Sequence, residues 1–549
     1  MKNCILLFLC LLCFQTVLGQ ELHVKIKSEK ASETKTIDSI GYTKKHSNAK
    51  LITNEVQVLE QKLLRIGYLN QTKEAITKVN DTLFEVKMSL GQQQKFIHIY
   101  IGENFELLGA SNTTEIKPIH EVENFMNYIL KTLERKGYSL AKIQLVNFKT
   151  TNNELHADLK TDIEIKRTLD DLVINGYEKF PKSHTKNIKR IYRNKVFNQT
   201  TLKSLSDDFD RFRFVKQLKS PEILFTKDST KVYVYLEKTK PNTFDGFVGF
   251  TNDKKKLIFN GYLDLKLQNI LNGGEKFNIY WKSDGKDQKT FDANIEIPYI
   301  LQSPLGIKAQ LNIFKQDSIF QNAKTGIDLG YYFNYNTKVY LGYQSTESSD
   351  IQNTNSSTLS DFNNSFFTSH LDFVAIDNNT ILFPEKTAVF FKLGFGKRDA
   401  NLGSESQFFG NLNLSHNLYL NKKNSINIRS QNFYLNSNTY IINELFRFGG
   451  INSIRGFNEN SLQGNTFGSV LTEYRYAFND GIYLHSIIDY GYYQDKTSNL
   501  SNSLVGLGFG FGLATKNGLL NFVYANGSTK DQTIKLSNSI VHLSFKARF

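Results

Sequence analysis

Two textures divide the chain. Up to about residue 240, apolar side chains recur at helical spacing and lead into paired runs of β-branched and aromatic residues. Beyond it, short segments alternate apolar and polar positions with a period of two. The first texture repeats weakly, about every 70–76 residues. Leu59, Leu63, Leu64 and Ile66 predict a helix over 54–66 that ends at Gly67-Tyr68. Phe125, Ile129, Leu130 and Leu133 predict a second over 122–136 ending at Gly137-Tyr138, and Leu202–Phe212 a third before Arg213-Phe214. A glycine just past a helix takes the left-handed conformation that ends it at little cost. Two strands follow each corner, near 72–79 and 83–89, 140–148 and 154–160, and 217–225 and 231–237. The units are compact α/β modules whose sheet edges either accept an extended peptide as an added strand or serve as spacers.

The second texture counts as sixteen antiparallel strands, from 244–252 and 256–267 to 518–526 and 538–549. Connection lengths test the count. In a membrane barrel entered from one side, even-numbered connections are tight turns and odd ones are free to be long. Asn336-Thr337 and Asn479-Asp480 are short and even, whereas the longest, about 347–364 and 436–466, fall seventh and eleventh. The eighth, about 377–385, is the untidy case. Val505, Leu507, Phe509, Phe511 and Leu513 share one strand face, with Gly506, Gly508, Gly510 and Gly512 opposite. The last segment places Val541, Leu543, Phe545, Ala547 and Phe549 outward, which suits a final strand closing on the first.

Composition then matters in three ways. Mean hydropathy is -0.37, and the only long apolar run, Ile5–Leu18, is too short for a spanning helix; an alternating barrel escapes that test. Lys2, the apolar Ile5–Cys13 and Val17-Leu18-Gly19 before Gln20 form a secretory signal over 1–19. Cys4, Cys10 and Cys13 all lie in it, so the mature chain is expected to carry no disulfide, thiolate site or cysteine nucleophile. Of the net charge of +14, +11 falls in the first 240 residues and +3 in the remainder. Its densest stretch, Lys182, Lys186, Lys189, Arg190, Arg193 and Lys195, conflicts with export if taken as a nucleic-acid patch; it is read as a solvated helix face close to anionic lipid or substrate.

The eleventh connection carries Gly449-Gly450-Ile451-Asn452-Ser453-Ile454-Arg455-Gly456-Phe457, and the next two strands carry Glu473 and Asp489 among apolar and aromatic neighbours. Carboxylates there should face the lumen and seek a cation. With the loop folded inward, Arg455 offers its planar fork to them; the plainer reading is three unrelated polar residues in a wet lumen. No H-E-x-x-H, P-loop or G-x-S-x-G is present to argue for catalysis.

Ile454, Arg455, Gly456 and Phe457 after a Gly-Gly resemble the inward-folded sixth extracellular loop of the BamA/TamA superfamily of outer-membrane assembly and translocation proteins, with Glu473 and Asp489 at the acidic positions that hold its arginine. The N-terminal units resemble polypeptide-transport-associated (POTRA) domains. The resemblance covers the mature chain and is closest in architecture to the TamA branch. Residues 20–50 show no clear plug helix of the kind two-partner secretion transporters carry, and Phe383-Pro384-Glu385-Lys386-Thr387 departs from relatives that have glycine after the basic residue.

The expected organisation is a signal at 1–19, POTRA-like modules at 20–93, 94–164 and 165–240, and a sixteen-stranded transmembrane β-barrel at 241–549. The resemblance implies a non-enzymatic factor in the bacterial outer membrane, modules in the periplasm, that guides polypeptides to a laterally opening barrel. Its alternatives are a two-partner secretion transporter and a passive porin or adhesin. Implied partners are unfolded outer-membrane or surface polypeptides, membrane lipid and an inner-membrane-anchored, periplasm-spanning protein; no cofactor, metal or nucleic acid is implied. The lateral seam would run by Phe247, Phe545 and Phe549.

Overall fold

The computed structural model describes residues 21–548 apart from 153, 254–255, 285–287, 355, 378–379, 381, 402, 516–517 and 531. The signal at 1–19 and Phe549 lie outside the described residues. The chain forms two compact units: residues up to Thr168 with Val196–Thr200, and Leu169–Lys195 with Thr201 onward.

The first unit holds two α/β sheets. One is built from β1 (Leu22–Lys27), α1 (Ala31–Ile40), α2 (Ala49–Arg65) and β2 (Leu83–Ser89), with β1 parallel to β2. Asn48 caps α2 by accepting from the Leu51 amide at 3.0 Å. Its apolar stripe, Ile52, Val56, Leu59 and Leu63, is buried against Val24, Ile26 and Val86. The other sheet has β3 (Phe96–Tyr100) between β4 (Thr114–Pro118) and the parallel β6 (Glu154–Asp162), which also pairs β5 (Lys142–Thr151). Helix α3 (Val122–Arg135) buries Ile129 and Leu133 on it.

The second unit opens with a third sheet of the same kind: β7 (Asp171–Asn175), α4 (Lys182–Tyr192), α5 (Gln199–Asp210), β8 (Val215–Gln217), β9 (Glu222–Phe225) and β10 (Thr230–Lys238), with β7 parallel to β10. All three sheets therefore begin with a strand parallel to their last, a strand that the repeat of helix and hairpin leaves out. The expected strands at 72–79 and 217–225 are each broken in two, at Thr72–Lys73 and Thr77–Lys78 and at β8 and β9. A helix, α1, falls within 20–50 and belongs to the first α/β core, where its Ile37 is buried.

The barrel is closed, antiparallel and sixteen-stranded. Its strands are β11 (Thr243–Asp253), β12 (Lys256–Gln268), β13 (Lys276–Ser283), β14 (Gln288–Ile297), β15 (Leu305–Gln316), β16 (Phe320–Asn334), β17 (Thr337–Asp350) and β18 (Phe362–Ile376). They continue with β19 (Glu385–Ala400), β20 (Gly403–Tyr419), β21 (Asn424–Asn436), β22 (Thr466–Ala477), β23 (Ile482–Asp495), β24 (Leu500–Thr515), β25 (Gly518–Ser528) and β26 (Ile540–Arg548). The wall inverts the usual order of a soluble protein. Phe367 and Phe395 are 74% and 62% exposed on the outside, whereas Asp328, Lys338, His370, Lys392 and Arg398 are buried within. Only a lipid surround makes that arrangement favourable.

The third sheet sits on one rim, here the near rim. Asn187 of α4 donates to the Ser303 carbonyl at 3.1 Å, and the Tyr177 hydroxyl lies between Asn269 and Asn272 at 3.1 and 3.2 Å. The His184 ring packs edge-on to Tyr299 with centroids 4.9 Å apart. At Gly274 (φ 78°) a Cβ would stand 1.9 Å from that ring, so only glycine fits. The long connections, 351–361 and 437–465, leave from the far rim, in agreement with their parity. The eighth turns back at the near rim, held by the Tyr419 hydroxyl on the Phe383 carbonyl at 2.6 Å and by Asn417 on the Glu385 carbonyl at 2.6 Å.

Candidate functional site: the inward loop and the seam

The eleventh connection descends into the lumen in three stages. Near the far rim its first limb is gripped from the wall: Arg398 of β19, fully buried, donates to Glu444 at 2.5 Å and to the Thr439 hydroxyl at 2.7 Å. Gln407 and Glu405 of β20 complete the grip, on Glu444 at 2.8 Å and Thr439 at 2.7 Å. A short hairpin, Phe446–Phe448 with Leu462–Gly464, then lays Phe448 flat on Phe467, ring centroids 3.9 Å apart. Gly449 and Gly450 (φ 103° and 98°) turn the chain, and a Cβ on Gly449 would meet the Asn458 carbonyl oxygen at 2.5 Å. Ile454 is pinned among Phe448, Phe467, Leu471, Tyr493 and Leu504.

Arg455 follows, and the structure brings it together with both expected carboxylates. Its Nε and Nη2 donate side-on to Asp489 Oδ2 and Oδ1 at 2.8 and 2.5 Å, and its own amide donates to the same Oδ2 at 3.0 Å. Nη1 donates to Glu473 Oε1. Arg455 and Asp489 are each 1% exposed and Glu473 7%, so these charges have traded water for one another. Sequence reasoning missed two further members. Arg475 holds Glu473 Oε2 at 2.6 Å through Nη2, and Arg429 approaches Oε1 at 3.5 Å. Both sit on strands lining the site, Arg475 two residues after Glu473; that i, i+2 spacing, which keeps two side chains on one face, was the available signal.

Glycines give the loop room. On Gly506 a Cβ would lie 2.3 Å from the Arg455 carbonyl oxygen, and on Gly527 2.4 Å from that of Gly456. The glycine face of β24 is a seat for the loop as well as a small inner face. Beyond Phe457, Glu459 crosses to the opposite wall and accepts from Tyr280 at 3.2 Å and from Lys282. The loop thus spans the lumen from β22–β25 to β13. The cluster is a set of charge-assisted hydrogen bonds between loop and wall. What it does physically is fix the loop, since stripping one partner from a buried ion pair costs about 3–5 kcal/mol.

The wall closes differently. Along β11, pairing with β12 runs from Thr243–Lys266 to Asp253–Lys256, while β26 pairs β25 from Gly518–Ala547 to Ala525–Ile540. Between β11 and β26, the pairs among the described residues are Thr243–Arg548, Phe244–Ala547 and Asp245–Lys546, all at the near rim. Gly246, with φ 154°, comes next. Phe247 lies on β11 opposite Tyr262, and Phe545 on β26 opposite Leu520; the register pairs neither with the other. Beneath the loop, a cavity of about 1080 Å³ opens by the seam, lined among others by Lys266, Lys276, Lys338, Arg429, Glu296 and Lys546.

No protein-family model and no curated protein matches the sequence. Among solved structures, CdiB from Acinetobacter baumannii is similar over 96% of this chain and 90% of that chain, at 13% identity and a TM-score of 0.52. CdiB from Escherichia coli is similar over 91% and 98%, at 13% identity and a TM-score of 0.53. BamA from Haemophilus ducreyi lacking POTRA domains 1–3 aligns over 80% and 95%, at 13% identity and a TM-score of 0.45. The chain shares its fold with CdiB over nearly its whole length: an α/β N-terminal region and a closed sixteen-strand barrel.

Proposed function

We propose that the chain is an outer-membrane assembly factor, a non-catalytic protein whose POTRA-type modules, in the periplasm, deliver unfolded outer-membrane or surface polypeptides to the barrel seam. The observation that carries this reading is the short β11–β26 pairing. Among the described residues three a side hold the wall where neighbouring strand pairs use most of their length, and a strand edge freed there is a template for an incoming strand. The loop supports the same reading, because it bridges the lumen and leaves the seam as the less obstructed way out. Arg455, with Glu473 and Asp489, keeps the loop in place while the wall opens.

Phe244→Cys with Ala547→Cys tests it, since these residues face each other in the register. A verified disulfide is expected to stop insertion of client barrels into the membrane, and reduction to restore it. Insertion that persists through the cross-link removes the seam mechanism. The second reading, a transporter that exports a partner through its lumen, draws on the likeness to CdiB. It predicts export that survives the seam cross-link and fails when the loop is tethered in place. Depletion of the protein followed by a census of lost surface proteins separates many clients from a single exported partner.

A further inference from the structure

We propose that the exposed face of α4, with the near-rim turns it is stitched to, binds the anionic phospholipid headgroups of the adjoining leaflet. The proposal rests on the barrel lying in a membrane and on nothing about clients.

Lys182, Lys186 and Arg190 follow one another at spacings of four, so they form one stripe along the helix, and Arg193 at its C-cap stands three residues further on. All four are exposed, while His184, Ile188 and Tyr192 are buried on the other side. Among the described residues no carboxylate pairs with any of the four. The basic residue of α4 that is paired, Lys189, reaches Asp171 at 2.7 Å.

The fold fixes this stripe at the level where the lipid wall ends. Arg190 donates to the Tyr332 carbonyl at 3.4 Å, and Tyr331 and Phe333 on either side of it are 41% and 57% exposed on the outer wall of β16. Aromatic side chains at the end of a spanning strand mark the interface with headgroups. The turn that Asn187 grips carries a second sign. Leu301 there is 96% exposed and held at φ 52°, a conformation non-glycine residues avoid. On the neighbouring turn Leu271 is 72% exposed. Leucines displayed to water gain nothing; dipped among acyl chains beside a cationic stripe, they complete an interfacial surface. An acidic polypeptide would satisfy the cations and leave both leucines unexplained.

The test uses the full chain purified in detergent with equal amounts of phosphatidylglycerol and phosphatidylcholine, and native mass spectrometry of the lipid retained. The wild-type chain should keep phosphatidylglycerol in preference. Lys182→Glu/Lys186→Glu/Arg193→Glu should lower that preference about tenfold with phosphatidylcholine retention unchanged; Arg190 is spared because it also holds the rim. Where the triple reversal disturbs folding, judged by the barrel's heat-dependent gel migration, the corresponding three glutamine substitutions replace it, with loss of the preference again expected. A wild-type chain without preference, or a variant that keeps it, overturns the proposal. So does a soluble Asp/Glu-rich peptide that binds through the same three residues while phosphatidylglycerol does not. Lipid retention is read without any client, so its failure leaves the assembly reading standing, and the reverse.

Discussion

The barrel is closed in two places on opposite principles. In the wall, β11 and β26 meet over Thr243–Asp245, a few backbone hydrogen bonds worth about 0.5–1.5 kcal/mol each. In the lumen, the loop is held by buried arginines, Arg398 reaching inward from the wall and Arg455 reaching outward from the loop. Each arginine meets carboxylates on the other partner, so the two grips are reciprocal. The contrast shows where the molecule is built to give: opening the seam breaks little, whereas moving the loop exposes charges that have already lost their water.

The sharpest way to break that contrast is Arg455→Ala. It leaves Asp489 buried with the residue-455 amide but without the guanidinium, and should cost the loop about 3–5 kcal/mol of anchoring, read as new protease cleavage within 449–461 and as impaired client assembly. Arg455→Lys keeps the charge without the fork and should restore only part of it. Normal assembly with an intact loop in the alanine variant would end the claim for this site. Arg398→Ala should loosen the first limb by about 2 kcal/mol, less than Arg455→Ala, because Gln407 and the Ile441 amide still hold Glu444. Cleavage should then appear near 437–444 and spare 449–461.

Gly506→Ala asks whether the seat itself matters. The added Cβ would lie 2.3 Å from the Arg455 carbonyl oxygen, and the enforced shift should cost about 1–3 kcal/mol of loop anchoring. Gly403→Ala, where a Cβ meets nothing within 4 Å, is the control for added bulk, although its φ of 115° carries its own strain.

The smallest effect concerns the docked third sheet. Burial, with Lys276 and Lys338 nearby, pushes His184 down to about 3. The docked state therefore resists protonating it. Docking should be intact above the ordinary histidine value of about 6.5 and weaken as pH falls from there toward 3. Thermal unfolding followed by a probe on α4 should show that slope, and His184→Gln should remove it.

Much of this was legible in the sequence because strand alternation and helical periodicity are local. The sixteen strands follow from a period of two, and Arg455 declared itself by its glycines and by two carboxylates in apolar strands. The leading strands β1, β3 and β7 were missed because short runs such as Leu22–Lys27 and Asp171–Asn175 become strands by pairing with partners far along the chain. Arg398 was missed for the same reason. Between Lys397 and Asp399 it looks like any polar residue of a barrel strand, and only the tertiary fold brings Glu444 to it. The basic stretch was visible as charge, but its four-residue spacing gained meaning only once α4 was placed on the rim.

Chain order gives the two closures a sequence in time. Arg455 and Asp489 are 34 residues apart, Lys282 and Glu459 are 177 apart, and β11 and β26 stand at opposite ends of the barrel sequence. The entropy lost in joining two points grows with the length of chain between them, so on folding the arginine grip is the first of the three to become affordable and the seam the last. The C-terminal strands can thus form around an already fixed loop, and the N-terminal strands wrap onto its tip afterwards. The contact made last in folding is also the one that the proposed seam mechanism undoes.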